Sequence, residues 1–457
     1  MLFSFDLSKL TEAEKDALIL DLAAQLQGAF EANTELKRRI EDLEKLLGKP
    51  RKTARNSSTP PSQDRKANAP KRKGKRRKGH PGIARTLDAA PDKVVHALAK
   101  ICPHCAITLL ASDQKPIQVY DRIEIPTIKP VVTRVHLYGG TCPGCCRSFV
   151  APVAPGLEPG SPFGRSIEEL VVFLHYTQAV SYARLVSMMQ DVFGVTMSQG
   201  AIANMLARAK DLFLSEAATI TETVKSSPVI CSDETSARVE GRNWWEWVFV
   251  GERAVLHHIV PSRAKAVVTG LMDGASPLVW VSDLYGAQQG HGQDWQVCLA
   301  HQLRDVQYAI DDGDSVFSFR LKRLLLRAIS IGRRRDGLKD STLKQYACDL
   351  ERRLDQVMAL EPRGEAGQKI KRRMMRIRPH LFVFVTNRLV PATNNVSERA
   401  IRPSVIFRKV TNGFRSTWGA NLYAAIRSTL SSGQLNGLSA LQTIRRVLAG
   451  QTVISAA

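Results

Sequence analysis

Two short apolar runs, each closing on an aspartate, constrain this chain more than any other feature. Val229-Ile-Cys231 leads into Asp233, and Leu278-Val-Trp-Val281 leads through Ser282 into Asp283. Between them, residues 244–250 and 254–260 carry strand-like apolar stretches, and residues 263–272 read as a helix. Residues 296–305 read as a last strand entering another helix. The elements therefore run in the order β-β-β-α-β, with Asp233 at the first strand and Asp283 at the end of the fourth.

That order resembles the ribonuclease-H-like fold, and the resemblance implies that the first and fourth strands lie side by side, which would bring Asp233 and Asp283 together. A third acid, Glu398, falls in a stretch that reads as a helix, Asn394-Asn-Val-Ser-Glu-Arg-Ala-Ile-Arg402. Carboxylates from separate elements suit hard divalent cations, which take oxygen ligands, and two such ions about 4 Å apart drive phosphoryl transfer. Glu234 adjoins Asp233, but successive strand residues face opposite sides, so at most one of the two is expected to be a ligand. His301 and Arg304 stand three apart on the helix after the last strand, so both are candidates for facing the site, with a purely structural imidazole as the plain alternative. Arg399 and Arg402, on the helix of Glu398, are candidates for reaching phosphates. The Trp244-Trp-Glu-Trp247 cluster reads as core and sheet surface rather than a base-stacking platform.

The charge of the chain points to a polyanion. Its formal net charge is +22 and its pI about 9.9. Residues 49–78 hold thirteen Lys or Arg and one Asp, and residues 399–457 hold eight Lys or Arg and no acid. A charge segregated in this way favours nucleic acid over general solubility. No stretch near the start has a long apolar core like a signal peptide, and no apolar run approaches the roughly 20 residues a membrane helix needs, so a cytoplasmic protein is expected.

The rest of the chain reads as several modules. Residues 1–48 form a helix in which Leu22, Leu26, Ala29, Asn33, Leu36, Ile40, Leu43 and Leu47 follow the spacing of a coiled-coil seam. This predicts a homo-oligomer through that helix, with an amphipathic helix packed on its own chain as the alternative. Residues 49–90 read as a basic, disordered DNA-binding linker containing the run 71–78. In 91–152, Cys102-Pro-His-Cys105 and Cys142-Pro-Gly-Cys145 are spaced as ligands of one tetrahedral Zn²⁺; redox pairs are the alternative, and His104 and Cys146 are not expected to bind metal. Residues 117–138 alternate like a hairpin, which makes the module zinc-ribbon-like. After a Pro/Gly-rich linker, 163–225 read as a helical segment in which 181–193, Gly194 and 198–210 have helix-turn-helix proportions, a pattern that also serves for plain packing. Residues 226–410 are the expected catalytic core, with an inserted helical subdomain at 315–377 that opens on a solvated cluster of Asp311, Asp312 and Asp314. Residues 411–457 are expected to be a basic helical tail. The fold class is thus multidomain α/β.

Six motifs coincide in one order: Asn56-Ser-Ser-Thr-Pro-Pro-Ser-Gln-Asp64, the paired cysteines, Asp233-Glu-Thr, Asp283-x-Tyr285, Ala300-His-Gln-Leu-Arg304, and the Glu398 stretch. In these the chain resembles the large DDE transposases of the insertion-sequence-66 family. The resemblance implies a leucine-zipper-like helix, a zinc-binding domain, a ribonuclease-H-like core, and transposition of the element's own DNA. It implies Asp233, Asp283 and Glu398 as ligands of Mg²⁺ or Mn²⁺, with inverted-repeat ends and target DNA as substrates and small proteins of the same element as companions. Two rivals are a hydrolytic nuclease of the same fold and a zinc-containing DNA-binding regulator with an inert core. The three acids weigh against the regulator, and the coiled coil and basic arm against a simple nuclease.

Overall fold

The computed structural model describes residues 11–50, 52–57 and 85–454. The basic run 71–78 lies outside them. The chain divides into two compact units, one of residues 1–65, 154–185 and 199–457, the other of residues 66–153 and 186–198.

Helix α1 (Glu12–Leu47) opens with a reciprocal cap: Glu14 takes the Thr11 N–H at 2.8 Å, and Thr11 Oγ1 accepts the Glu14 N–H at 3.4 Å. Leu22, Leu26, Leu36 and Leu43 are all more than half exposed, so their side of the helix is open. In the smaller unit the only strands among the described residues are β1 (Gly139–Thr141) and β2 (Ser148–Val150), an antiparallel pair flanking the second cysteine pair. The hairpin expected over 117–138 does not form. Pro126 and Pro130 stand inside it, and each removes a ladder N–H and fixes its φ. Ile117, Ile125, Val131 and Val132 consequently stay exposed.

Helices α2 (Arg165–Val172), α3 (Tyr182–Phe193) and α4 (Gln199–Lys225) follow. Gly194 closes α3 at φ +65°, a left-handed turn that glycine enters without strain. Helix α4 runs 15 residues past the end expected at 210. Its buried stripe, Ile202, Leu206, Ala209, Phe213, Ile220 and Val224, is that of a core helix.

The sheet of the larger unit has five strands. They are β3 (Val229–Val239), β4 (Arg242–Val250), β5 (Val255–Val260), then, after α5 (Lys265–Met272), β6 (Val279–Ser282) and β7 (Asp294–Val297). Their order is β5-β4-β3-β6-β7, antiparallel among the first three and parallel from β3 to β7. The first and fourth strands do lie side by side. All four residues of β6 are buried, as a central parallel strand covered on both faces requires.

Beyond the sheet come α6 (Leu299–Asp311), α7 (Phe317–Arg334), α8 (Asp340–Met358), α9 (Gly364–Ile377) and the single turn α10 (Val383–Thr386). The helices of the expected insertion share one core with the sheet: Phe317, Leu325, Leu354 and Met374 cluster with Val281 and Val297. Each such fully buried side chain contributes about 1.5–3 kcal/mol. The acidic cluster at its entry is not uniformly solvated. Asp314 is fully buried and accepts from Ser318 N at 3.2 Å and Ser318 Oγ at 2.8 Å, tying down the start of α7.

Helices α11 (Asn395–Thr411), α12 (Thr417–Leu435) and α13 (Ala440–Leu448) complete the chain. The separate tail expected after 411 is instead part of the core. Ser432 Oγ and Ser428 Oγ of α12 accept the backbone N–H groups of Val255 and His257 at 2.9 and 2.8 Å. These donors lie on edge strand β5, so α12 occupies hydrogen-bonding positions that an exposed edge would offer another chain. Before α12, Phe414 N donates to Arg238 O at 2.8 Å; Gly413, at φ +95°, sits so near that carbonyl that a Cβ would approach it to 2.7 Å.

Candidate active site

Strand register builds the centre of the site. Cys231 of β3 pairs with Val281 of β6 in the parallel ladder. Asp233 and Asp283 each follow their paired residue by two positions, so they leave neighbouring strands at matched height on one face. Asp283 Oδ1 accepts Tyr285 N at 2.8 Å, and Asp233 Oδ1 accepts Glu234 N at 2.9 Å. Burial, then the charges of Glu234 and Asp283, push the Asp233 carboxyl up to about 7. Burial also raises Glu234, but Glu234 has partners of its own. Its Oε1 takes Arg263 Nη2 at 2.6 Å and its Oε2 takes Gln288 Nε2 at 2.6 Å. The Arg263 guanidinium lies over the rings of Tyr285 and Trp245, 3.9 and 4.5 Å from their centroids. Trp247 is fully buried, whereas Trp245 forms one wall of this arginine's seat.

Glu398 comes from the first turn of α11. Its Oε1 lies 3.9 Å from His301 Nε2 and 3.6 Å from Arg304 Nη2, and it is buried without a hydrogen-bond donor. Both members of the i, i+3 pair on α6 therefore lie near Glu398. Burial alone would lower His301; the Cys298 sulfur beside the ring and the charge of Asp283 outweigh it and raise the imidazole instead. Arg399 and Arg402 are exposed on α11 and form no salt bridge among the described residues.

Two supports of α11 went unassigned in the sequence. Asn394, fully buried just before the helix, donates Nδ2–H to Ser232 O at 2.7 Å and accepts Ser397 Oγ at 2.9 Å, which fixes the helix to the residue preceding Asp233. Further along, Ser404 Oγ donates to Glu246 Oε1 at 2.6 Å, His257 Nδ1 meets the same oxygen at 2.9 Å, and Tyr423 OH donates to Ser404 at 2.9 Å. Glu246 and His257 are on β4 and β5, so a buried polar network carries α11 across the sheet. The only sequence hint was a glutamate inside a tryptophan-rich strand.

The cysteines make two equivalent knuckles. Cys102 N donates to Ile107 O at 2.8 Å and Ala106 N to Cys102 O at 2.9 Å; Cys142 and Cys146 repeat the pattern at 2.9 and 2.8 Å. Ala106 and Cys146 both take positive φ. Backbone N–H groups of His104 and Cys105 lower the Cys102 thiol, and those of Cys145 and Gly144 lower Cys142. The expected four-sulfur site is not assembled, however. Among the described residues no three His, Cys, Asp or Glu side chains gather closely enough to hold one metal ion, in the knuckles or around Asp233. With no hairpin over 117–138, no strand pairing among the described residues links the two knuckles.

An acidic pair at the ends of neighbouring parallel strands, and a glutamate beside a histidine and an arginine, belong to a chain that a family comparison places among the transposases, enzymes that act on DNA. The matching family model, described as "Transposase IS66 family", covers residues 160–422, more than half of the chain, and the chain belongs to that family. No curated protein gave a match. Among the described residues no helix is long and apolar enough to cross a membrane.

Proposed function

We propose that this transposase catalyses divalent-metal-dependent cleavage and strand transfer of DNA at the inverted-repeat ends of its own insertion sequence, in the cytoplasm, on a ribonuclease-H-like core. The observation that carries the reading is the matched exit of Asp233 and Asp283 from parallel neighbours β3 and β6, with Glu398 held over that strand end by Asn394. The donor chemistry suits a hard cation, although among the described residues the three carboxylates do not gather around one point: every candidate donor is a carboxylate oxygen, burial and then acidic neighbours raise Asp233, and Glu398 Oε1 is buried without a donor. Asp233, Asp283 and Glu398 would hold Mg²⁺ or Mn²⁺, which when bound activates an attacking water or DNA 3′-OH and stabilises the leaving oxygen.

The chain's own residues position the substrate. A protonated His301 and Arg304 place positive charge beside Glu398, where they attract a phosphate. Arg399 and Arg402 reach flanking phosphates from the exposed side of α11. Arg263 and Gln288 hold Glu234 away from the ligand set. Positioning and charge neutralisation carry phosphoryl transfer, so no covalent protein intermediate is needed. In the same reading the open seam of α1 joins copies of the chain to pair two DNA ends. Cys102, Cys105, Cys142 and Cys145 would hold Zn²⁺ as thiolates once the two knuckles are brought together, and companion proteins of the element assist.

The test is a cleavage and strand-transfer assay on end-containing DNA, run beside a binding assay. Asp233→Ala, Asp283→Ala and Glu398→Ala should each abolish chemistry and leave DNA binding nearly intact, while Glu234→Ala loses far less. Full activity in either aspartate variant overturns the mechanism, and full activity in Glu398→Ala removes it from the ligand set.

A further inference from the structure

Asn56, within the stretch 49–90 expected to be a disordered linker, is 4% exposed. It organises a turn over residues 53–57: its Oδ1 accepts Thr53 N at 2.7 Å and Thr53 Oγ1 at 3.2 Å, and Ser57 Oγ donates to Thr53 O at 2.6 Å. The amide of the same side chain then reaches across 255 residues of sequence to donate to Asp311 Oδ2 at 2.9 Å, at the end of α6. Asp311 Oδ1 accepts Gln307 Nε2 at 2.7 Å, and Gln307 Oε1 accepts Lys322 Nζ of α7. A chain of four side chains thus joins the N-terminal turn to two helices of the catalytic unit.

The turn and those helices enclose a cleft of about 750 Å³ whose lining includes Arg55, Leu303, Arg304, Gln307, Asp311 and Lys322. Three cations line it. Its one acid, Asp311, is engaged on both oxygens by Asn56 and Gln307, which leaves the lining net positive. Arg304 belongs to both places: it lines the cleft and lies 3.6 Å from Glu398. A backbone of regularly spaced phosphates is the partner that suits cations leading toward a catalytic carboxylate.

We propose that this cleft binds the DNA phosphate backbone beside the scissile phosphate, and that Asn56 clasps the N-terminal segment in place as one wall of it. The assignment of the scissile phosphate rests on the function proposed above; the binding itself does not.

Two measurements test this on the full-length chain. The first is binding of a short fluorescent duplex, in chelator so that no chemistry occurs, over a range of salt. Each lost phosphate contact lowers the salt slope by about 0.9, so Arg55→Ala with Lys322→Ala should lower it by about 1.8 and weaken binding roughly tenfold or more. The second is tryptic cleavage after Arg55, which Asn56→Ala should accelerate strongly, with Asp311→Asn adding little on top because both changes open the same clasp. Unchanged affinity and slope in the double charge variant overturn the cleft, and unchanged proteolysis in Asn56→Ala overturns the clasp. A wild-type chain that binds DNA as described yet never cuts it would refute the catalytic reading and leave the cleft standing.

Discussion

Asp233 should destabilise the metal-free protein, and replacing it with asparagine should reveal by how much. Its carboxyl is pushed from 3.8 up to about 7, first by burial and then by Glu234 and Asp283. A folded-state pKa above the unfolded one means that the folded chain binds the proton more tightly. Stability is therefore lost as pH rises from about 4 toward 7 and stays low above it. At about 1.36 kcal/mol per pKa unit, ionising Asp233 in the folded chain carries a cost of order 4 kcal/mol at pH 8 and roughly 1.5 at pH 5. Relaxation among the coupled acids reduces this, so Asp233→Asn should stabilise by about 2–4 kcal/mol at pH 8 and by about 1 kcal/mol at pH 5. Asparagine keeps an oxygen for the Glu234 N–H, so the substitution removes charge and little else. Urea denaturation of both proteins in chelator, at the two pH values, measures the difference. Adding Mg²⁺ should offset much of the variant's advantage, because a ligand at about 100 times its dissociation constant stabilises the wild type by roughly 2.7 kcal/mol. A variant less stable than wild type at pH 8, or one whose gain does not change with pH, would refute the crowded-carboxylate account.

Three other outcomes are expected. Asn394→Ala leaves Ser232 O and Ser397 Oγ unpaired in a buried site, so it should cost about 2–4 kcal/mol in denaturation and about 10²-fold in strand cleavage as Glu398 drifts; a variant like wild type in both assays would show that the clasp does not hold α11. Metal analysis of purified protein should find Zn²⁺ and lose it in Cys142→Ser, while equal zinc in both would remove the knuckles as its site. Deleting residues 65–79 should flatten the salt slope of duplex binding and keep preference for the element's ends, and an unchanged slope would mean that this stretch does not touch DNA.

Local pattern was enough to determine part of this protein. Apolar runs ending in Asp233 and Asp283, with two strands and a helix between them, determined the element order, and the resemblance of that order to a ribonuclease-H-like fold implied which strands are neighbours. Spacing of three on a helix determined that His301 and Arg304 share a face. What joins residues far apart was decided only by the tertiary structure. Asn394 reaches Ser232 and Asn56 reaches Asp311 across 162 and 255 residues, and no periodicity reports such pairs. Glu246 follows two tryptophans in a strand, where alternation alone cannot distinguish a solvated acid from a buried one; Ser404 and His257 decide it. Serines and threonines on α12 read as a polar tail until β5 supplies backbone donors for them. Over 117–138 the reverse holds: the alternation of a strand is present, but prolines remove its donors and no partner strand among the described residues completes it. Pattern reports what a segment can bury, and only the assembled chain decides whether a partner stands opposite.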